Sequence, residues 1–266
     1  MADPTLPIAL TIAGSDSGGG AGIQADLKTF EAFGVFGTSV VTAVTAQNTR
    51  GVTAVHAVPG GVVRAQIDAV ALDLRPAAVK LGMLASAALI ETVAEGLDAH
   101  ALGPVILDPV MVATSGDRLL DRDAESTLAT LLLPRARLVT PNLDEASILA
   151  GFPVTTPDEM EAAARTIAER GATAVLLKGG HLDADTLVDL LWEAGRVRRW
   201  ERPRMRTRST HGTGCTLSSA IAAGLARGTS LEDAVSRAIA YVQRAIAAAP
   251  GLGAGHGPLR HTVPTE

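Results

Sequence analysis

The segment His211-Gly212-Thr213-Gly214-Cys215 leads into a run with helical spacing, Thr216 to Ala226, and so places a thiol beside two glycines at a helix start. Backbone N–H groups at such a start lack intrahelical partners, and Gly212, Thr213 and Gly214 together form a candidate hole for a phosphoryl group in transfer. At the positive end of that helix the Cys215 thiol is expected to ionise more readily and to act as a base toward a substrate hydroxyl. The other reading of Cys215 is a small buried residue that only packs. Two acids follow apolar runs: Asp108 in Ile106-Leu107-Asp108-Pro109, and Glu145 three residues past Asn142 in Thr140-Pro141-Asn142-Leu143-Asp144-Glu145. Carboxylates after neighbouring strands can hold Mg2+ through water while the ion bridges nucleotide phosphates; an acid at Glu145 can equally cap a helix. Lys178, in Lys178-Gly179-Gly180-His181, offers a cation to those phosphates or is an ordinary solvated lysine.

A second glycine-rich segment, Gly14-Ser15-Asp16-Ser17-Gly18-Gly19-Gly20-Ala21-Gly22, follows the first apolar run and precedes a helical stretch, Ile23 to Phe33. Glycines such as Gly14 and Gly20 let backbone approach a ligand closely, with Asp26 within reach of the same mouth. The segment fits neither GxxxxGK[ST] nor GxGxxG, so neither a P-loop nor a dinucleotide fingerprint is supported. Gln47, in Thr45-Ala46-Gln47-Asn48-Thr49, carries an amide that can pair a donor and an acceptor with a heterocycle edge. The glycines from Gly251 to Gly257 form either a loop near a nucleotide or a loose tail, and segments such as Ala113 to Asp117 and Pro250 to Pro258 are candidates to close over it.

Something must hold these segments at one place. Short Val/Ile/Leu-rich runs, Ile8–Ala13, Val40–Ala46, Ala78–Gly82, Val105–Asp108, Leu138–Thr140 and Ala174–Lys178, alternate with Ala-rich stretches of helical spacing. Continuous apolar strands between amphipathic helices predict a mostly parallel sheet covered on both faces, a three-layer α/β/α fold. Such sheets take ligands at the carboxyl ends of their strands, where the residues above lie. Leu187 to Trp192 and Arg196 to Trp200, around Glu193-Ala194-Gly195, predict an antiparallel hairpin near one sheet edge. Ser230 is expected to cap a last helix, Leu231 to Ala248. With no linker, repeat or low-complexity block, residues 1–266 are expected to form a single domain.

Composition excludes several classes. Hydrophobic residues are 47% of the chain, which rules out disorder, and a net charge of -5 with only 3% aromatics argues against nucleic acid. No apolar run is long enough to span a membrane, the amino terminus lacks a basic cluster before an apolar core, and one cysteine fits a reducing compartment, so a cytoplasmic protein is expected. No HExxH or CxxC pair suggests zinc.

Taken together, GSDSGGGAGIQADLKTF from Gly14, TAVTAQNT from Thr42, KLGML from Lys80, DPVMVATSG from Asp108, TPNLDEA from Thr140, KGGH from Lys178 and HGTGCTLSSA from His211 cover nearly the whole chain. In these segments the chain resembles the bacterial hydroxymethylpyrimidine and phosphomethylpyrimidine kinases of thiamine biosynthesis, within the ribokinase-like superfamily. The resemblance implies ATP and Mg2+ as cofactors, a small pyrimidine as acceptor, phosphorylation of its alcohol and then of the monophosphate, and a homodimer. It implies that Gln47 hydrogen-bonds the aminopyrimidine with Asp26 nearby, that Asp108, Asn142 and Glu145 organise metal and phosphates, and that Lys178 touches ATP phosphates. Most of the superfamily carries an aspartate base where this chain has Cys215; the pyrimidine kinases carry cysteine there. Pyridoxal or pyridoxine phosphorylation is the nearest alternative, since those rings also bear a hydroxymethyl group. Two other classes remain open: Cys215 with His211 as a nucleophile pair for acyl transfer, and a binding protein that has lost catalysis.

Overall fold

A computed structural model describes residues 6–112, 119–120, 122–181 and 185–266. Nine strands among them form one sheet: β1 (Ile8–Asp16), β2 (Phe36–Asn48), β3 (Gly51–Ala57), β4 (Ala78–Leu81), β5 (Val105–Leu107), β6 (Ala136–Val139), β7 (Ala174–Leu177), β8 (Thr186–Glu193) and β9 (Arg196–Pro203). Their order is β3-β2-β1-β4-β5-β6-β7-β8-β9. Pairing is parallel from β2 through β7 and antiparallel at both margins, where β3 lies on β2 and the β8–β9 hairpin follows β7. The β8–β9 hairpin stands where the Gly195 turn predicts it. The β2–β3 pair is not foreseen in the sequence, because β3 is largely exposed on both faces and so lacks an apolar alternation to mark it.

The strands build two cores by alternation. Leu10, Ile12, Val79, Leu81 and Leu107 point to one face, against Ile67 of α2 (Gly60–Asp73), Ile90 of α3 (Ala87–Ala99), Leu128 of α4 (Arg122–Leu131), Leu149 of α5 (Leu143–Ala150) and Ile167 of α6 (Pro157–Glu169). Ala9, Ala78, Ile106 and Leu138 point to the other, against Phe30 of α1 (Gly22–Ala32), Ile221 of α7 (Thr213–Ala226) and Tyr241 of α8 (Leu231–Ala247). This is the three-layer arrangement the apolar runs imply. No helix among the described residues is long and apolar enough to cross a membrane.

Helix α7 begins at Thr213, three residues before the expected Thr216, because Gly212 takes a left-handed φ of 81° and turns the chain into the helix early. Cys215 is therefore inside the first turn. The segment after α8 is neither loose nor detached: the His256 N–H donates to the Thr49 carbonyl at 2.7 Å and the His211 N–H to the Gly257 carbonyl at 3.1 Å. The candidate lid Ala113 to Asp117 lies outside the described residues.

Further on, His261 braces the start of α7, its Nε2 3.0 Å from Thr216 Oγ1, while Tyr241 donates to its carbonyl at 2.8 Å. Burial, with Lys28 adding to it, pushes the His261 imidazole down to about 4 from an ordinary 6.5. The unfolded chain therefore binds a proton that the fold refuses, and stability falls as pH drops from about 6.5 toward about 4. In urea unfolding, the change in stability from about pH 7 to about pH 5 should be less favourable for the parent than for His261→Gln by on the order of 2 kcal/mol, all other titrating groups being common to both proteins.

Candidate functional site

The carboxyl ends of the parallel strands open into a cavity of about 870 Å3 that runs from β1 and β2 at one end to β9 and α8 at the other. Gly14, Thr45, Gln47 and Met83 line the first end; Leu187, Arg202 and Ile246 line the second. Between them stand Asp108, Asn142, Glu145, Lys178 and the start of α7 from Gly212 to Cys215. The polar residues that the sequence separates by more than a hundred positions thus share one cleft.

The middle of the cleft is an ion cluster. Lys178 Nζ donates to Asp108 Oδ1 at 2.8 Å and lies 3.9 Å from Glu145 Oε2. Thr140 Oγ1 donates to the same Asp108 oxygen at 3.1 Å. Burial works against the Lys178 charge, but Asp108 and Glu145 outweigh it and hold the ammonium above its ordinary range. Burial pushes Glu145 up to about 7, opposed by Lys178 and reinforced by Asp108. Both readings of Glu145 hold at once: with Asn142 it forms a capping box on α5, and it also lines the cavity. Asn142 shares that double position.

Above the cluster, the first intrahelical bond of α7 is the Thr216 N–H to the Gly212 carbonyl at 2.9 Å. The amides of Gly214 and Cys215 precede it and are available to an anion. A methyl on Gly214 would stand 3.2 Å from Lys178 Nζ and 3.4 Å from Asp108 Oδ2, so the helix start looks directly onto the ion pair. Cys215 lines the same space, but its acidity is the reverse of the expected lowering. Burial pushes the thiol up to about 11, with Lys80 pulling against it and Asp26 and Asp108 adding to it. The helix start does favour a thiolate, yet the desolvation of that thiolate among acids outweighs it.

Two expected contacts at the acceptor end also change. Asp26 is fully buried and does not line the cavity; it receives Lys80 Nζ at 2.8 Å, Thr11 Oγ1 at 2.6 Å and Ser219 Oγ at 2.7 Å. The spacing that brings it near the mouth also turns it inward, toward the sheet face under α1. Gly20 is likewise off the cavity wall, because it packs on the His211 ring: a methyl there would meet Cδ2 at 2.5 Å. Gln47 does face the cavity, its Oε1 accepting from Thr45 Oγ1 at 3.1 Å.

Sequence reasoning missed two pairs. Lys80 is a fully buried lysine on β4 whose ammonium Asp26 keeps charged against the desolvation of burial. Its signal was a lysine inside an otherwise apolar run, which needs a partner wherever the run is buried. His211 Nε2 lies 2.8 Å from Asp16 Oδ2, and that carboxylate also accepts N–H groups of the glycine-rich loop at Gly20 and Ala21. Burial favours the neutral Asp16, but His211 and the Ala21 amide outweigh it and hold the carboxyl below its usual range. With His211 committed to Asp16, the pairing of His211 with Cys215 for acyl transfer has no geometric support.

The fold and its cleft are those of a small-molecule kinase of the ribokinase-like class. The chain matches the family model described as phosphomethylpyrimidine kinase over residues 16–260, and it belongs to that family. It is 54% identical over 96% of its length to the hydroxymethylpyrimidine/phosphomethylpyrimidine kinase of Rhizobium meliloti, of which 96% is covered. It is 50% identical to the thiamine biosynthesis bifunctional protein ThiED of Geobacter sulfurreducens, matching 97% of this chain and 52% of that longer protein. Among solved structures, the ADP complex of Bacillus subtilis pyridoxal kinase superposes with a TM-score of 0.90 at 36% identity, covering 97% of this chain and 98% of the other.

The tightest packing in the site is at Gly212, where a methyl would fall 1.9 Å from the Gly20 carbonyl oxygen at a φ of 81°. Gly212→Ala should therefore displace the start of α7 and lower kcat at least about tenfold, because the left-handed backbone alone costs about 1–2 kcal/mol before the collision is relieved. Gly214→Ala, whose methyl meets only side-chain ends, Lys178 Nζ at 3.2 Å and Asp108 Oδ2 at 3.4 Å, should lose less in the same steady-state assay.

Proposed function

We propose that this chain transfers the γ-phosphoryl group of ATP to the hydroxymethyl group of 4-amino-5-hydroxymethyl-2-methylpyrimidine, and then to the resulting monophosphate, for thiamine biosynthesis. The observation that carries this reading is one continuous cavity joining Gln47 to Cys215, at an anion-binding helix start that faces Lys178 and Asp108, in a member of this family. Gln47 and Gly14 receive the pyrimidine; the apolar wall of Leu187, Ile239 and Ile246 receives the nucleotide base.

Among the described residues, no three His, Cys, Asp or Glu side chains gather to enclose a metal. Asp108 and Glu145 are two carboxylates with Lys178 already beside them, a donor set that suits Mg2+ arriving with ATP and keeping water and phosphate oxygens in its shell. Such an ion supplies shielding of the phosphate charge between donor and acceptor.

The chain's own groups do the rest. Amides of Gly214 and Cys215 hold the γ-phosphoryl oxygens, and Lys178 neutralises charge beside them. The acceptor oxygen bonds to the γ-phosphorus as the bond to the ADP oxygen breaks, and Cys215 Sγ takes the alcohol proton. Exposed Val44 and Val55 on the β2–β3 pair favour a homodimer, and the lone cysteine favours a cytoplasmic setting.

The pyridoxal kinase whose structure superposes at 0.90 keeps pyridoxal as a second reading. The test is ADP release with Mg-ATP and, in parallel, the hydroxymethylpyrimidine, its monophosphate and pyridoxal. Turnover of both pyrimidines well above pyridoxal is expected; preference for pyridoxal, or no ADP from any of them, sinks the assignment. Cys215→Ser should lower kcat for the alcohol about 100-fold or more while pyrimidine affinity, read by calorimetry, stays within about threefold.

A further inference from the structure

By strand alternation, Thr11 on β1 and Lys80 on β4 point to the face covered by α1 and α7, where their neighbours Ala9 and Ala78 are core. A lysine there is tolerated because Asp26 of α1 lies under it. Lys80 Nζ has three N–H donors and gives two, at 3.0 and 2.8 Å, to the two Asp26 oxygens. Thr11 Oγ1 and Ser219 Oγ donate to the same carboxylate, so it is fixed from β1 and α7 as well. Although wholly buried, Lys80 still lines the cavity.

Cys215 precedes Ser219 by four residues and so lies one turn closer to the start of α7 on the same side. The Gly22 amide of α1 lies toward its sulfur and favours the thiolate. The charged groups around it come from every neighbouring element: Lys80 of β4, Asp26 of α1, Asp108 after β5 and Lys178 after β7. Two of these are acids that oppose a thiolate. Each of the two cations is paired at 2.8 Å, Lys178 with Asp108 and Lys80 with Asp26, and Lys80 is the one locked under α7 itself.

We propose that Lys80 is a positioning residue for phosphoryl transfer: anchored by Asp26, Thr11 and Ser219, it holds a fixed positive charge beside Cys215 and stabilises the thiolate that receives the acceptor's proton. This rests on the reading of Cys215 as the base. In that step the alcohol O–H bond breaks, its oxygen bonds to the γ-phosphorus, ADP leaves with the bridging oxygen, and the proton resides on sulfur until water removes it. Lys80 neither gains nor loses a proton.

Lys80→Met alone strands the Asp26 carboxylate in the core, so the informative variant is Lys80→Met with Asp26→Asn, which removes both charges at similar volume. Cys215 is the chain's single cysteine, which makes iodoacetamide a specific probe of it. Alkylation follows the thiolate fraction. The double variant removes an acid that opposes the thiolate together with the cation that favours it, and because Lys80 acts on the sulfur more strongly than Asp26, at about pH 8 it should be alkylated at least about threefold more slowly than the parent. Its kcat for the alcohol should fall at least about tenfold with KM changed less than about threefold. A merely structural pair, once lost, would loosen α7 and speed alkylation. Equal or faster alkylation overturns the proposal. The alkylation readout uses no substrate, so it is decided separately from the choice of acceptor, which only the parent enzyme's turnover of pyrimidines tests.

Discussion

One carboxylate joins the two halves of this site. Asp16 ends β1 and accepts the N–H groups of Gly18, Gly20 and Ala21, which shapes the acceptor-side loop, and it also receives His211 just ahead of α7. The helix start proposed to hold a phosphoryl group is therefore braced against the loop proposed to hold its acceptor. In-line transfer between two bound molecules is chiefly a matter of holding them in register, and this frame provides that register from the backbone outward. The close approach of Gly212 to Gly20 follows from the same contact: any side chain at either position would push the halves apart.

The second constraint is charge in a dry place. Lys80 and Asp26 neutralise each other beneath α7, while Lys178 and Asp108 do so at its mouth. Each pair fixes where a positive charge stands without leaving a net charge buried, and the thiol of Cys215 lies between them. Its reluctance to ionise in the free protein comes from that setting. The same low polarity that disfavours a thiolate also strengthens every attraction the cations exert once a proton must move.

Much of this was legible in the sequence, for identifiable reasons. Apolar runs ending in Asp108, Asn142 and Lys178 announce strands whose carboxyl ends converge, and the glycines around Cys215 announce a helix start suited to an anion. Gln47 reaches the cavity from the end of β2, just past the apolar run Val40–Ala46. What was not legible depends on which way a side chain turns and on what lies opposite. Asp26 has the right address but faces the sheet, since its partner Lys80 is 54 residues away, on strand β4. The acidity of Cys215 could be read only in sign for an isolated helix, whereas its value is set by burial with Asp26 and Asp108, which no local pattern brings near. The edge strand β3 escaped notice because exposure on both faces erases the alternation by which strands are recognised.

The bond between Asp16 and His211 spans 195 residues, and that between Gly255 and Thr49 spans 206. At a synthesis rate of about 5–20 residues per second, Asp16 and its loop would emerge roughly 10–40 s before the histidine they await. During that interval α1 alone covers the face of β1 and β4 on which α7 and α8 later pack. For a chain built this way, the cleft is completed only once residues 211–257 have been made, and the growing polypeptide presents a half-finished sheet to whatever binds unfolded chains first.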